Sequence, residues 1–185
     1  MRMLTEAWRK RTYPSFTNWR TVGRGATVDG TLARVRVGRD AKGENLVLAD
    51  VDLSQYDFNA FRVSVKARAK NVKGLSDRPA PAHEDSTPHG DGLVFAIRFK
   101  ELLWGNVFTT YAEQKPLPDG WTELSFTDDH LHGKRAKTGT VRLGLENATG
   151  EVEFDLSTLK IVPSEPLWPV VNQDRRVSYP DSVRN

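Results

Sequence analysis

The longest perfect alternation in the chain runs Phe61-Arg62-Val63-Ser64-Val65-Lys66-Ala67-Arg68-Ala69. Apolar side chains at every second position place one face of an extended strand against a core and the other in water. A helix would scatter the same residues around its axis, so a half-buried antiparallel strand is the reading that satisfies every position. The pattern recurs. Residues 31–37 set Ala33, Val35 and Val37 against Arg34 and Arg36, and residues 93–100 set Leu93, Phe95, Ile97 and Phe99 against Val94, Ala96, Arg98 and Lys100. Val152 to Leu156 swaps strictly with Glu153 and Asp155, within a strand expected over 152–161. Shorter strands are expected at 45–49, 107–112, 121–127 and 140–146. About eight or nine strands and no amphipathic helix predict an all-β sandwich or barrel. Its core should hold Val35, Val63, Val65, Phe95, Ile97, Phe99, Leu143, Leu145, Val152 and Phe154.

Three stretches break the pattern. Residues 1–20 read as irregular, with Pro14 opposing a helix and Trp8, Tyr13, Phe16 and Trp19 available to pin the segment down. Residues 71–91 carry Pro79, Pro81 and Pro88 among glycine and scattered charge, the composition of a surface loop. Residues 163–185 hold Pro163, Pro166, Pro169 and Pro180, which suits an extended connector with Trp168 as an anchor. The chain thus divides into an N-terminal segment (1–20), a sandwich (21–162) and a linker (163–185).

With 185 residues, 38% apolar and 28% charged, one core can form under a polar surface. The formal charge is +3 with both signs interleaved, which is not the basic footprint of a nucleic-acid binder. No stretch approaches the apolar length of a membrane span. Cysteine is absent, so disulfides and thiolate metal sites are excluded. The charged start, Met1 to Lys10, lacks the apolar region of a secretion signal.

Several phrases occur in a telling order: Leu53-Ser54-Gln55-Tyr56, the Phe61–Ala69 strand, and Leu117-Pro118-Asp119-Gly120-Trp121-Thr122-Glu123-Leu124-Ser125-Phe126. Val141-Arg142-Leu143-Gly144-Leu145 and Gly150-Glu151-Val152-Glu153-Phe154-Asp155-Leu156 follow. Over roughly residues 30–162 this order resembles the jelly-roll carbohydrate-binding modules of galactose-binding-like fold that accompany plant-polysaccharide hydrolases. The long 71–92 loop and the scarcity of outward aromatics depart from many such modules. The resemblance implies an antiparallel jelly-roll β-sandwich of two sheets. It also implies a non-catalytic domain, secreted or at the cell surface and expected to be monomeric. Residues 163–185 then look like the passage into a covalently linked glycoside hydrolase domain. The implied ligand is a plant polysaccharide, a β-glucan or related hemicellulose, with neither nucleic acid nor membrane as partner.

A sugar ring offers an apolar C–H face that stacks on Trp or Tyr while polar side chains hold its hydroxyls. Trp104, beside Gly105 and Asn106 at a strand start, is the leading stacking candidate, with Tyr111 on the following strand. Trp104 can equally pack over an open end of the sandwich. Trp121 opens a strand after a turn and reads as structural. Of the outward charges most form solvated cross-strand pairs; Arg98, Arg142 and Glu146 are the exceptions expected to reach a ligand, together with Asn106. The histidines and carboxylates of 83–91 sit in a loop that gives a zinc ion no rigid frame, so a solvated loop is the better reading. Modules of the resembled kind carry a structural Ca²⁺, and the resemblance implies Asp155 as a ligand with Glu44 or Asp50 beside it; oxygen donors suit this hard cation.

Glu151, Glu153 and Asp155 line one side of one strand, which resembles the Glu-x-Asp-x-x-Glu strand of jelly-roll β-glucanases. Paired carboxylates are what glycoside hydrolysis requires. The order here is Glu-x-Glu-x-Asp, and no nucleophile signature or phosphate-binding glycine loop accompanies it. A binding module is therefore the first reading. A sandwich that packs on its own catalytic domain without binding sugar is the second, and a small glycosidase using Glu151 and Glu153 is the third.

Overall fold

Alternation alone predicts strands, and the computed structural model contains strands throughout; it describes residues 14–39, 42–54, 60–74, 92–100, 106–107, 113–128 and 137–164. In order these are β1 (Phe16–Val22), β2 (Ala26–Asp29), β3 (Leu32–Val37), β4 (Glu44–Asp52), β5 (Phe61–Gly74) and β6 (Gly92–Phe99). Then come β7 (Asn106–Val107), β8 (Glu113–Pro116), β9 (Thr122–Asp128), β10 (Thr138–Glu146) and β11 (Ala148–Pro163). Two antiparallel sheets result. The five-stranded sheet runs β1-β4-β10-β6-β7 and the six-stranded sheet β2-β3-β11-β5-β9-β8.

Without β1, β2 and β8, the remaining strands are ordered β4-β10-β6-β7 in one sheet and β3-β11-β5-β9 in the other. Successive strands from β3 to β6 change sheet at each connection, and the last strand lies between the first and the third. That is the double Greek key of a jelly roll, as expected. The inward faces meet in one core. All ten expected core residues are buried, joined by Phe61, Leu53, Val47, Val51, Phe126, Val141 and Ile161. Phe95 and Phe126 meet edge to face across it with ring centroids 4.9 Å apart, and Phe61 meets Phe99 at 5.3 Å.

Three strands depart from the sequence reading. The irregular segment expected over residues 1–20 gives way to β1 from Phe16 onward. Between Thr17 and Arg20 this strand takes three residue steps while β4 takes two, from Asp50 to Leu48, and Asn18 sits at φ 53°. One extra residue makes a bulge, so Phe16 and Trp19 both pack on the core although they are three apart. That spacing hides the strand from an alternation test. β2 has only four residues, and β8 is Glu-Gln-Lys-Pro, an edge strand with no apolar residue. β5 extends past its alternating stretch to Gly74, so residues 71–74 of the loop expected over 71–91 are strand; residues 75–91 lie outside the described residues, as do the 165–185 part of the linker and the 108–112 part of the strand expected over 107–112.

Candidate functional site

The two outward faces of the sandwich differ in chemistry. On the six-stranded sheet the charges answer one another. Arg34 Nε donates to Glu153 Oε1 at 2.9 Å, and Arg68 Nε and Nη2 donate to Glu153 Oε2 at 3.1 and 2.5 Å. Arg36 pairs with Glu151 at 3.6 Å, Lys66 with Asp119 at 3.3 Å, and Arg62 with Glu113 at 2.5 Å. The Arg68 guanidinium also lies 4.8 Å above the ring centre of the half-buried Trp121. This ladder follows from strand register: Arg34, Glu153 and Arg68 occupy one row across β3, β11 and β5. The hydrogen bonds from Arg68 and Arg34, opposed by partial burial, hold the Glu153 carboxyl below its ordinary range.

That placement decides the chemistry open to Glu151 and Glu153. A general acid must hold its proton near neutral pH, whereas Glu153 is kept ionised by two arginines. The two residues also project from one strand to one side, whereas a glycosidase needs carboxyls opposed across the scissile bond.

On the five-stranded sheet the outward positions form rows across the strands. One row runs Thr17, Asp50, Thr140 and Arg98, from β1 through β4 and β10 to β6, with Asn106 of β7 paired to Arg98 in backbone register. The next runs Arg20, Leu48, Arg142 and Ala96, followed by Val22, Leu46, Gly144 and Val94, and then Glu44, Glu146 and Gly92. The middle is apolar: Leu46, Val94 and Ala96 are buried although they point away from the main core, and with half-buried Leu48 they form a second cluster. Gly144 lies among them at φ 154°, where a side-chain carbon would meet the Asn45 carbonyl oxygen at 2.2 Å. Only glycine lets β4 and β10 approach this closely.

Polar groups flank this apolar middle. Arg142, whose side chain is 13% exposed, donates from Nη2 to Glu44 Oε1 at 2.6 Å and stands 3.8 Å from Glu146 Oε2. Along the other end, Asp50 accepts from Arg20 Nη1 and Nη2 at 3.1 Å each, from Thr140 Oγ1 at 2.9 Å and from Asn18 Nδ2 at 3.3 Å. The Arg20 hydrogen bond leads the contributions that hold the Asp50 carboxyl below its usual value. Arg98 is exposed, and among the described residues its guanidinium has no ion-pair or hydrogen-bond partner.

The structure thus brings Arg98, Arg142 and Glu146 onto one face, with Asn106 opposite Arg98 in register. Trp104 and Tyr111 lie outside the described residues. The pairing of Asp155 with Glu44 or Asp50 implied for calcium does not form among the described side chains. Glu44 and Asp50 belong to the sugar-candidate face, six residues apart on β4, which spaces them about 20 Å at the rise of a strand. Asp155 belongs to the other sheet, where its Oδ1 accepts from Ser157 N at 3.1 Å and Ser157 Oγ at 2.6 Å. These carboxylates cannot share one oxygen shell, and among the described residues no cluster of three His, Asp or Glu side chains could hold a metal. Sequence reasoning passed over Thr140 and Arg20 as ligand-facing groups and named Asp50 only for a metal; the outward position of Thr140 beside Arg142 was the available signal.

No family model matches the chain, and no curated protein matches it. Among solved structures it is similar to one described as "CBM4 structure and function", at 14% identity and a TM-score of 0.43, over 79% of this chain and 78% of that one. No residue role is carried over from that likeness.

Proposed function

We propose that this domain is a non-catalytic carbohydrate-binding module whose outward five-stranded face receives a plant polysaccharide, a β-glucan foremost, on behalf of an attached glycoside hydrolase. The observation that supports this reading is the row Asp50, Thr140 and Arg98, in which an exposed guanidinium without a partner among the described residues stands beside hydroxyl and carboxylate groups. Sugars suit such groups, since the rim of a ring carries hydroxyls that both donate and accept. Trp104 and Tyr111 enter the proposal as the stacking partners, and Arg142 with Glu146 as a second polar border.

Affinity electrophoresis of the whole chain in gels cast with β-glucan, xylan and mannan tests it. Retention by one polysaccharide is expected, weakened in Arg98→Ala and more strongly in Trp104→Ala, with no release of reducing sugar. If the wild-type chain migrates freely through all three gels, the domain is a packing module for its neighbour. If sugar is released and Glu151→Gln or Glu153→Gln stops it, the domain is an enzyme.

A further inference from the structure

The six-stranded face holds a hollow that its charge ladder does not use. Between the pairs Asp155–Lys66 and Lys160–Ser64, β11 takes five residue steps while β5 takes two. The extra residues arch out of the ladder, with Leu159 buried in the core, Leu156 packed against it, and Ser157 and Thr158 on the outer side. The arch is tied down. Thr158 Oγ1 accepts from the Lys66 backbone N–H at 2.9 Å and donates to the Asp155 carbonyl at 2.7 Å, and Ser157 is bound to Asp155 as described above. Beside this wall lies a depression of about 290 Å³ bordered by Ser64, Lys66, Glu123, Ser157, Thr158 and Lys160.

Three groups there lack an answer among the described residues. Ser64 is only 7% exposed, lines the hollow, and its hydroxyl has no hydrogen-bond partner. Its neighbour Ser125, also buried, shows the usual outcome, since its Oγ accepts from Arg62 Nη2 at 2.5 Å. A buried hydroxyl left unpaired is costly and calls for a partner from outside. The Glu123 carboxylate and the Lys160 ammonium at the rim are likewise without ion-pair or hydrogen-bond partners. A simple anion would suit Lys160 and Ser64 but oppose Glu123, and a cation would oppose Lys160. A vicinal pair of ring hydroxyls satisfies all three, one donating to Glu123 while accepting from Lys160, the other pairing with Ser64. The volume lies near the lower end for ligand sites and suits one ring rather than a chain.

We propose that this hollow is a second sugar subsite, taking a single pyranose residue on the face opposite Arg98; the choice of a sugar rests on the polysaccharide reading above. The test is an amide-shift titration of the ¹⁵N-labelled whole chain with glucose and, separately, xylose. Saturable shifts at Ser64, Lys66 and Thr158 are expected. Glu123→Ala should weaken them about tenfold, the scale of a hydrogen bond to a charged group, and Ser64→Ala should weaken them by a smaller factor. Absence of saturable shifts, or shifts indifferent to both substitutions, overturns the subsite and leaves water as the partner of Ser64. Equal shifts with sodium acetate overturn it in favour of an anion. Amides of Arg98 and Thr140 report the other face in the same spectra, and gel retention reports the polysaccharide. A silent hollow in a chain that binds polysaccharide therefore removes the subsite alone.

Discussion

Replacing Glu153 by Gln should cost the domain about 1–2 kcal/mol at neutral pH. The carboxylate receives three N–H donors from two guanidiniums, and its own side chain is 20% exposed. Arg34 and Arg68 are about half exposed, which screens each pair to roughly 0.5–1 kcal/mol. The sum is the expected loss, because glutamine keeps the shape and one acceptor but leaves two cations facing each other across β11. For a domain of this size such a change lowers Tm by about 3–6 °C. The pH dependence follows from the lowered carboxyl. A group ionised more readily in the folded than in the unfolded state contributes stability above its ordinary value, 4.5, and loses it as pH falls through the lowered folded value. Thermal melts of wild type and Glu153→Gln should therefore be well separated at neutral pH and converge below pH 4.5. A separation that persists undiminished at about pH 2 would refute the assignment. So would equal melts at neutral pH.

Phe95→Ala removes half of the edge-to-face pair with Phe126 from the centre of the core and should cost about 3–5 kcal/mol in urea denaturation. Gly144→Ala drives a methyl group to 2.2 Å from the Asn45 carbonyl oxygen, so a loss of about 2–3 kcal/mol is expected, with the amides of β4 and β10 exchanging faster than those of β5. Any rise of Tm with Ca²⁺ should survive in Asp155→Ala, because among the described residues no cluster of carboxylates gathers around Asp155; a rise abolished by that substitution would place a metal at β11 after all.

Alternation told which way the side chains of β3, β6, β10, the Phe61–Ala69 part of β5 and the Val152–Asp155 part of β11 point, because that is a local property of an extended backbone. It could not tell which outward residues meet. Asp50, Thr140 and Arg98 share one row only because β10 lies between β4 and β6, and no spacing along the chain announces that order. β1 escaped notice for a related reason: the bulge at Asn18 shifts the phase halfway along the strand, so its two inward aromatics obey no single period. The grouping of Asp155 with Glu44 and Asp50 came from family likeness rather than register, and it is the grouping that failed to assemble. Register also separates the two outward faces by how their charges are paired. Most cations of the six-stranded ladder already hold a carboxylate, so they stabilise the sheet and offer a ligand little. Recognition requires groups still seeking partners at a site where water can be displaced. Among the described residues Arg98 meets that requirement on one face, and the Ser64 hollow with Glu123 and Lys160 meets it on the other. The proposed polysaccharide face and the proposed single-ring hollow separate experimentally because no residue is shared between them.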